Sequence, residues 1–283
     1  RYISVTGVQT CALPIYMSVI ATPGSAGGRG TMKELNVIGS MQLLAACQKS
    51  ATVRRLVVKS TTTVYGSGPR DPAMFTEEMG PKRLPSSGYA KDVFEIEGYV
   101  RGFARRRPDV DVTMVRAANV VGPHVASPLT NYFRLPVIPR VLGFDPRLQF
   151  LHEDDLMRVL RHAATSDTSG TFNVAGDGLL PLSQAVRRLG TPSVSLPSFA
   201  VGRLGATMRQ ARLSDFSPEQ LGFLTYGRGV DTTRMRTELG FEPEFTTAEA
   251  FADFCDSVAP HRHRAGRRER SRQLPHRPSS CWC

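Results

Sequence analysis

Residues 54–93 read RRLVVKSTTTVYGSGPRDPAMFTEEMGPKRLPSSGYAKDV, and their pattern decides the fold class. Leu56-Val57-Val58 is a short apolar, β-branched run, which suits a strand buried on both faces of a parallel sheet. The run ends in hydroxyls, Ser60-Thr61-Thr62-Thr63, followed by Val64-Tyr65-Gly66. A Pro/Gly-rich loop then leads to Ser87-Gly88-Tyr89, which opens a segment of helical character from Tyr89 to Arg107. A hydroxyl at the C-terminal end of a strand and a tyrosine at a helix start can meet over one crevice, the place where doubly wound sheets bind ligands. The expected class is therefore α/β, built on a doubly wound parallel sheet.

Further segments fall into place around this stretch. Thr31 to Ser50 reads as a helix, with Thr31 and Glu34 spaced as a capping box and Leu35, Ile38, Met41, Leu44 and Ala45 spaced to face the sheet. Within it lies Asn36-Val-Ile-Gly39-Ser-x-x-Leu43-Leu44-x-Ala46. Asp111 to Val115 reads as a strand that runs into Arg116-Ala-Ala-Asn119-Val-Val-Gly122-Pro123. Beyond it come Leu148-Gln-Phe-Leu-His152-Glu-Asp-Asp155, Thr171-Phe-Asn-Val-Ala175-Gly176 and Val230-Asp-Thr-Thr-Arg-Met-Arg-Thr-Glu-Leu239-Gly-Phe. Helical pieces are expected near Pro181–Leu189, Phe199–Arg212 and Pro218–Leu224, with a final amphipathic helix from Thr246 to Val258.

In order and spacing these motifs resemble the extended short-chain dehydrogenase/reductase family, the one holding the NAD-dependent sugar epimerases and dehydratases. The resemblance implies a partial Rossmann-like domain over residues 17–165, with 124–147 contributing to a small C-terminal mixed α/β substrate domain that continues over 166–259. It also implies three catalytic positions: Thr61 as the hydroxyl, Tyr89 as the acid/base, and Asn36 as organiser of a water in the proton relay. Val19, Ile20, Ala21, Ser60, Tyr89 and Ala118 are the implied cofactor contacts, and Thr61 and Asn119 the implied substrate contacts; no metal is expected. The implied cofactor is NAD, with NADP as the alternative, and the implied partners are a nucleotide sugar and a second copy of the chain. His152 and Asp155 are read as hinge and scaffold residues. Where the family has alanine-free aromatic neighbours, Ala117 and Ala118 leave a looser wall.

One departure stands out. The family's lysine, four residues after the tyrosine, falls on Val93. A free tyrosine has a pKa near 10 and is a poor base at neutral pH. A lysine one helical turn away lowers that pKa, and Lys91, two residues along, points to the other side of the helix.

The N-terminal region carries two decoys. Val5-Thr6-Gly7 imitates the end of a first strand, but the glycines a phosphate turn needs are Thr10 and Leu13. Val5 to Ile15 is instead similar to the translation of a sequencing adapter, so residues 1–16 are set aside. Gly24, Gly27 and Gly30 also satisfy a phosphate-loop spacing, after a strand-like stretch from Met17 to Ala21. No acid closes the following strand, as that motif requires. Residues 19–30 therefore match either the fourth strand and its loop or a surface loop, with three strands and the glycine fingerprint expected before Met17. Tight NAD binding by the chain as it stands is not expected, because the phosphate-binding helix N-terminus is missing.

Charge and cysteines narrow the rest. The net charge is +11, but residues 260–283 hold seven Arg and one Glu, so the body is only mildly basic. This tail has too little apolar surface to fold and reads either as DNA translated out of frame or as a phosphate-gripping arm. Five cysteines without paired spacing exclude a disulfide framework and a zinc pattern and suit a reducing cytoplasm. No apolar run reaches the ~20 residues that span a bilayer. Three functions remain open: an epimerase/dehydratase-like protein silenced at Val93, a non-catalytic NAD-binding or scaffold protein of the same fold, and nucleic-acid binding through the tail.

Overall fold

The computed structural model describes residues 15–16, 28–85, 88–201 and 218–258, and statements of absence below concern these residues. Val19, Ile20, Ala21, the Gly24 and Gly27 positions and the basic tail lie outside them.

The apolar run of the opening stretch extends into its hydroxyls, giving strand β2 at Arg55–Thr61. β2 pairs in parallel with β3 (Asp111–Ala117), from Arg55 opposite Asp111 to Thr61 opposite Ala117. β3 pairs in parallel with β8 (Gly170–Val174), and a two-residue β1 (Ile15–Tyr16) lines the other side of β2. The resulting order is β1-β2-β3-β8.

Both faces of this sheet are covered, which is why its strands read as continuous apolar runs rather than alternating ones. On one face Leu56, Val58 and Met114 meet Leu44 and Cys47 from helix α1 (residues 29–49) and Ile96, Val100 and Phe103 from the helix that follows β2, α2 (Gly88–Arg106). Helix α2 spans Gly88–Arg106, close to the sequence expectation. On the other face Val57, Val115, Ala117 and Phe172 meet Val159, Leu160 and Ala163 of α4 (Glu153–Thr165).

A second core lies beyond the sheet. β4 (Asn119–Val121) leads to α3 (Pro128–Phe133), β5 (Ile138–Val141), β6 (Arg147–Leu148) and β7 (Phe150–His152). After β8 come β9 (Leu180–Pro181), α5 (Leu182–Leu189), β10 (Ser193–Leu196), α6 (Pro218–Tyr226) and α7 (Thr233–Thr237). β4 pairs with β7 and β5 with β10 in parallel, while β6 and β9 are antiparallel. Their core is aromatic: Phe133 sits edge-on to Phe251 at 4.9 Å between ring centroids, and Phe251 stacks on Phe150 at 5.3 Å. The helix carrying Phe251, residues 247–258, crosses Gly176 so closely that a Cβ there would lie 2.7 Å from the Phe245 carbonyl oxygen. Asp155 and His152 act as scaffold for that helix: buried Asp155 accepts from the amides of Glu244 and Phe245, and His152 bonds Asp253 at 3.0 Å.

Helix α1 departs from the sequence expectation. It is one helical run, Arg29–Lys33, a π-turn at Glu34–Ile38, and Gly39–Lys49. Its N-cap is Gly28, with no side-chain cap, so Thr31 lies inside the helix rather than capping it. The buried face runs through Met32, Asn36, Val37, Ser40, Leu44 and Cys47, whereas Leu35, Ile38 and Met41 are 50%, 44% and 42% exposed. Two polar residues occupy the inner face because each has a partner there. Asn36 donates to Asp92, and Ser40 donates to the Asn36 carbonyl in the wide turn. Of the five positions expected to face the sheet, Leu44 does so, while Leu35, Ile38, Met41 and Ala45 lie on the outer side. Truncating Leu44 to alanine should cost about 2–5 kcal/mol. Leu35→Ala should cost less than about 1 kcal/mol. Urea denaturation of the two variants checks this; equal losses would restore the face expected from the sequence.

Candidate functional site

β2 ends at Thr61, and the chain turns at once into a short 3₁₀ segment, Thr62–Tyr65. The turn is fixed locally: Thr61 Oγ1 accepts from the Thr63 amide at 3.3 Å and lies 3.1 Å from the Thr63 hydroxyl. Gly66 closes it at φ 78°, a conformation that a side chain would strain. Helix α2 packs on this turn. Its first turn presents Tyr89, half-buried and packed against the core cluster that includes Val64, Val93, Ala117 and Ala118. Thr61 ends β2, and Ala117 and Ala118 follow at the end of the neighbouring strand β3, so the positions singled out in the sequence lie at adjacent strand ends beside this helix turn.

Beneath it lies a buried polar network. Tyr89, Val93 and Glu97 share one face of α2 at helical spacing. Glu97 receives Arg116 through two bonds, 3.0 and 2.8 Å, and Ser60 Oγ at 2.6 Å. Arg116 also donates to Tyr65 Oη at 2.7 Å and to the Glu77 carbonyl at 3.0 Å. Tyr65 in turn donates to Asn173 Oδ1 at 2.7 Å. Ser60, expected at the cofactor, therefore spends its hydroxyl on Glu97.

The electrostatics of Tyr89 are the decisive feature. Burial pushes its hydroxyl well above the ordinary tyrosine range, and the negative charge of Asp92 pushes it further the same way. Position 93, where a lysine was expected, holds a valine that is 2% exposed and packed into the core. Lys91 points outward toward Glu95 at 3.8 Å. Lys59 stands two residues before Thr61 on β2, half-buried, with its ammonium disfavoured by burial.

Asn36 reaches this region from α1: its Nδ2 lies 3.4 Å from Asp92 Oδ2, and both side chains are fully buried. Asn119 is half-buried on β4, opposite Phe150, and the Ala118 amide is bonded to the Val174 carbonyl at 2.8 Å. Sequence reasoning passed over Asp92, Glu97 and Lys59. A signal for Glu97 existed, since a carboxylate two turns after Tyr89 on an otherwise apolar face needs a buried cation. Nothing local pointed to Asp92.

The candidate polar groups are the Thr61 hydroxyl, the Tyr89 phenol and the Asn119 amide, with the buried Ala117 and Ala118 at the end of β3. Such groups suit the carboxamide and ribose end of a nicotinamide cofactor; Val93 withholds the cation that would hold the ribose. Among the described residues no cluster of His, Cys, Asp or Glu is arranged to hold a metal, and no helix is long and apolar enough to cross a membrane.

Comparison with known proteins gives a consistent result. The model of the NAD dependent epimerase/dehydratase family matches residues 20–175. An uncharacterised protein of Mycobacterium tuberculosis is 48% identical over 246 residues, 85% of this chain and 65% of that protein. The chain thus spans about two-thirds of the length of its curated relative, 65%. The UDP-glucose 4-epimerase of Thermotoga maritima, solved with UDP-glucose, superposes with a TM-score of 0.64 at 18% identity, covering 87% of this chain and 77% of that one. The dTDP-glucose 4,6-dehydratase of Bacillus anthracis, solved with NAD, gives 0.62 at 17% identity, covering 88% and 73%. At such identities the two structures establish the shared fold.

The buried tyrosines fix how stability responds to alkali. Burial raises Tyr65, Tyr89 and Tyr132 above the ordinary value. A group raised in the folded state contributes stability that is complete below its unfolded pKa, about 10 for tyrosine, and is lost as pH rises through the folded value. The urea midpoint should hold to about pH 9 and then fall steadily. A midpoint that stays level into strong alkali would contradict the burial of these hydroxyls.

Proposed function

Because the chain belongs to the NAD-dependent epimerase/dehydratase family, we propose that its crevice holds NAD(P) and a nucleotide sugar, with turnover suppressed at Val93. The chemistry such a cofactor would supply is reversible hydride transfer. The residues of this chain supply the frame: Thr61 and Tyr89 bond the sugar oxygen, Ala118 backs the nicotinamide, and Asn119 contacts the sugar. NAD is the family reading, with NADP as the alternative.

The observation that carries the proposal is the environment of Tyr89. Its neighbour one turn on is an aliphatic core residue, and the charge acting on it is negative. Each unit of pKa shift is about 1.4 kcal/mol. A tyrosine without its cation and beside a carboxylate therefore lacks about two decades or more of proton-transfer rate. A reducing cytoplasm suits the cysteines; Cys47 and Cys255 form no disulfide. A homodimer suits the exposed Leu35, Ile38 and Met41 of α1.

Val93→Lys is the direct test. It places an ammonium on the Tyr89 face of α2, one turn away. With NAD and a panel of nucleotide sugars, the substituted protein should form NADH or epimerised sugar at least about 100-fold faster than the native one. Native turnover equal to that of the variant would overturn the suppression. Calorimetry with NAD on the full-length protein checks the cofactor separately, and no heat of binding there, with or without the substitution, would remove the cofactor from the reading.

A further inference from the structure

Asp92 has the geometry of a residue with a task. It sits three residues after Tyr89, so the two are neighbours on the surface of α2. Its side chain is fully buried, a costly place for a carboxylate without partners. It faces Asn36, whose position in α1 is itself unusual. The π-turn Glu34–Ile38 widens the helix at Asn36, and Ser40 takes up the Asn36 carbonyl from within that turn. The side-chain amide then reaches across to α2, where Nδ2 meets Asp92 Oδ2 at 3.4 Å.

A carboxylate can only accept hydrogen bonds, whereas an amide offers donors on one side and an acceptor on the other. The pairing therefore fixes which way the Asn36 amide is turned. It also joins two segments that sequence alone left unconnected, the Asn36 turn and the Tyr89 turn.

We propose that Asp92 is a positioning residue for the crevice, clamping the Asn36 amide to the helix that carries Tyr89 and setting the role of the Tyr89 hydroxyl as a donor. The proposal rests on the functional reading only in taking the crevice as the ligand site; the clamp stands on the geometry. Among the described residues, two carboxylates face this end of α2. Asp92 belongs to α2 itself, and Glu219 of α6 lies with its oxygens 3.4 and 3.6 Å from where a Gly88 Cβ would be. Lys91 turns away to Glu95. The negative charge of Asp92 acts against ionisation of Tyr89, in the same direction as burial. A phenol so held offers its hydrogen to an acceptor oxygen, such as a carbonyl on the ligand, rather than withdrawing a proton from an alcohol.

Two measurements on the cofactor-free full chain decide it. In the first, Tyr89 is titrated by NMR with ring-labelled tyrosine, in the native protein, in Asp92→Asn, and in Lys91→Gln as control. Asp92→Asn keeps the shape and removes the charge, so the Tyr89 titration should shift downward, while Lys91→Gln should leave it where it is. An unmoved titration in folded Asp92→Asn overturns the proposal. In the second, which needs no substitution, exchange of the Asn36 side-chain amide protons is followed in the native protein. Slow exchange supports the clamp, and exchange at the rate of a free amide overturns it. Neither readout involves NAD, so a failure to bind cofactor would sink the functional reading and leave this one standing.

Discussion

The buried ion pair between Glu97 and Arg116 is the constraint on which the rest of the site depends. Two charges inside the domain cost several kcal/mol each in lost hydration, and that cost is offset only when geometry and additional hydrogen bonds are right. Here they are. The guanidinium makes two bonds to the carboxylate, Ser60 and Arg101 supply further donors to it, and Tyr65 and the Glu77 carbonyl accept two more guanidinium hydrogens. Because Arg116 stands on β3, Ser60 on β2 and Glu97 on α2, the pair fixes both the depth and the rotation of that helix on the sheet. Tyr89, two turns before Glu97, is thereby held over the strand ends.

Rotation fixed by the network has a chemical consequence. The face that carries Glu97 also carries Val93, so the position nearest to Tyr89 along that face is set by the fold and filled with an aliphatic group. A cation there would favour the phenolate; a valine leaves burial and Asp92 unopposed. The scaffold that places the tyrosine and the residues that tune it are thus separable. One is intact, and the other points toward hydrogen-bond donation.

Much of this was legible in the sequence, for identifiable reasons. Strand Arg55–Thr61 and helix Gly88–Arg106 announce themselves because each combines an apolar run of the right period with turn residues at its ends. The valine at position 93 needed only counting. Helix α1 was harder. Its inner face mixes Asn36 and Ser40 with Met32, Val37, Leu44 and Cys47, and its exposed face carries Leu35, Ile38 and Met41, so polarity is a poor guide to burial there. That mixture arises from partners distant in sequence, Asp92 lying 56 residues from Asn36. Glu97 and Arg116 are 19 residues apart on different elements, and no local periodicity encodes their meeting. Propensity reads elements; it does not read which buried polar groups satisfy one another.

A double-mutant cycle at the ion pair tests the central claim most directly. Glu97→Gln, Arg116→Met and the combination would be unfolded in urea alongside the native protein. If the pair docks α2 on the sheet, Glu97→Gln strips the buried Arg116 of its carboxylate and costs about 3–5 kcal/mol, whereas Arg116→Met leaves Glu97 bonded to Arg101 at 3.1 Å and to Ser60 and costs less. The combined change should then cost clearly less than the two losses together, by at least about 1 kcal/mol. Strictly additive losses would show that the two charges do not act on each other, and that something else holds Tyr89 over the crevice.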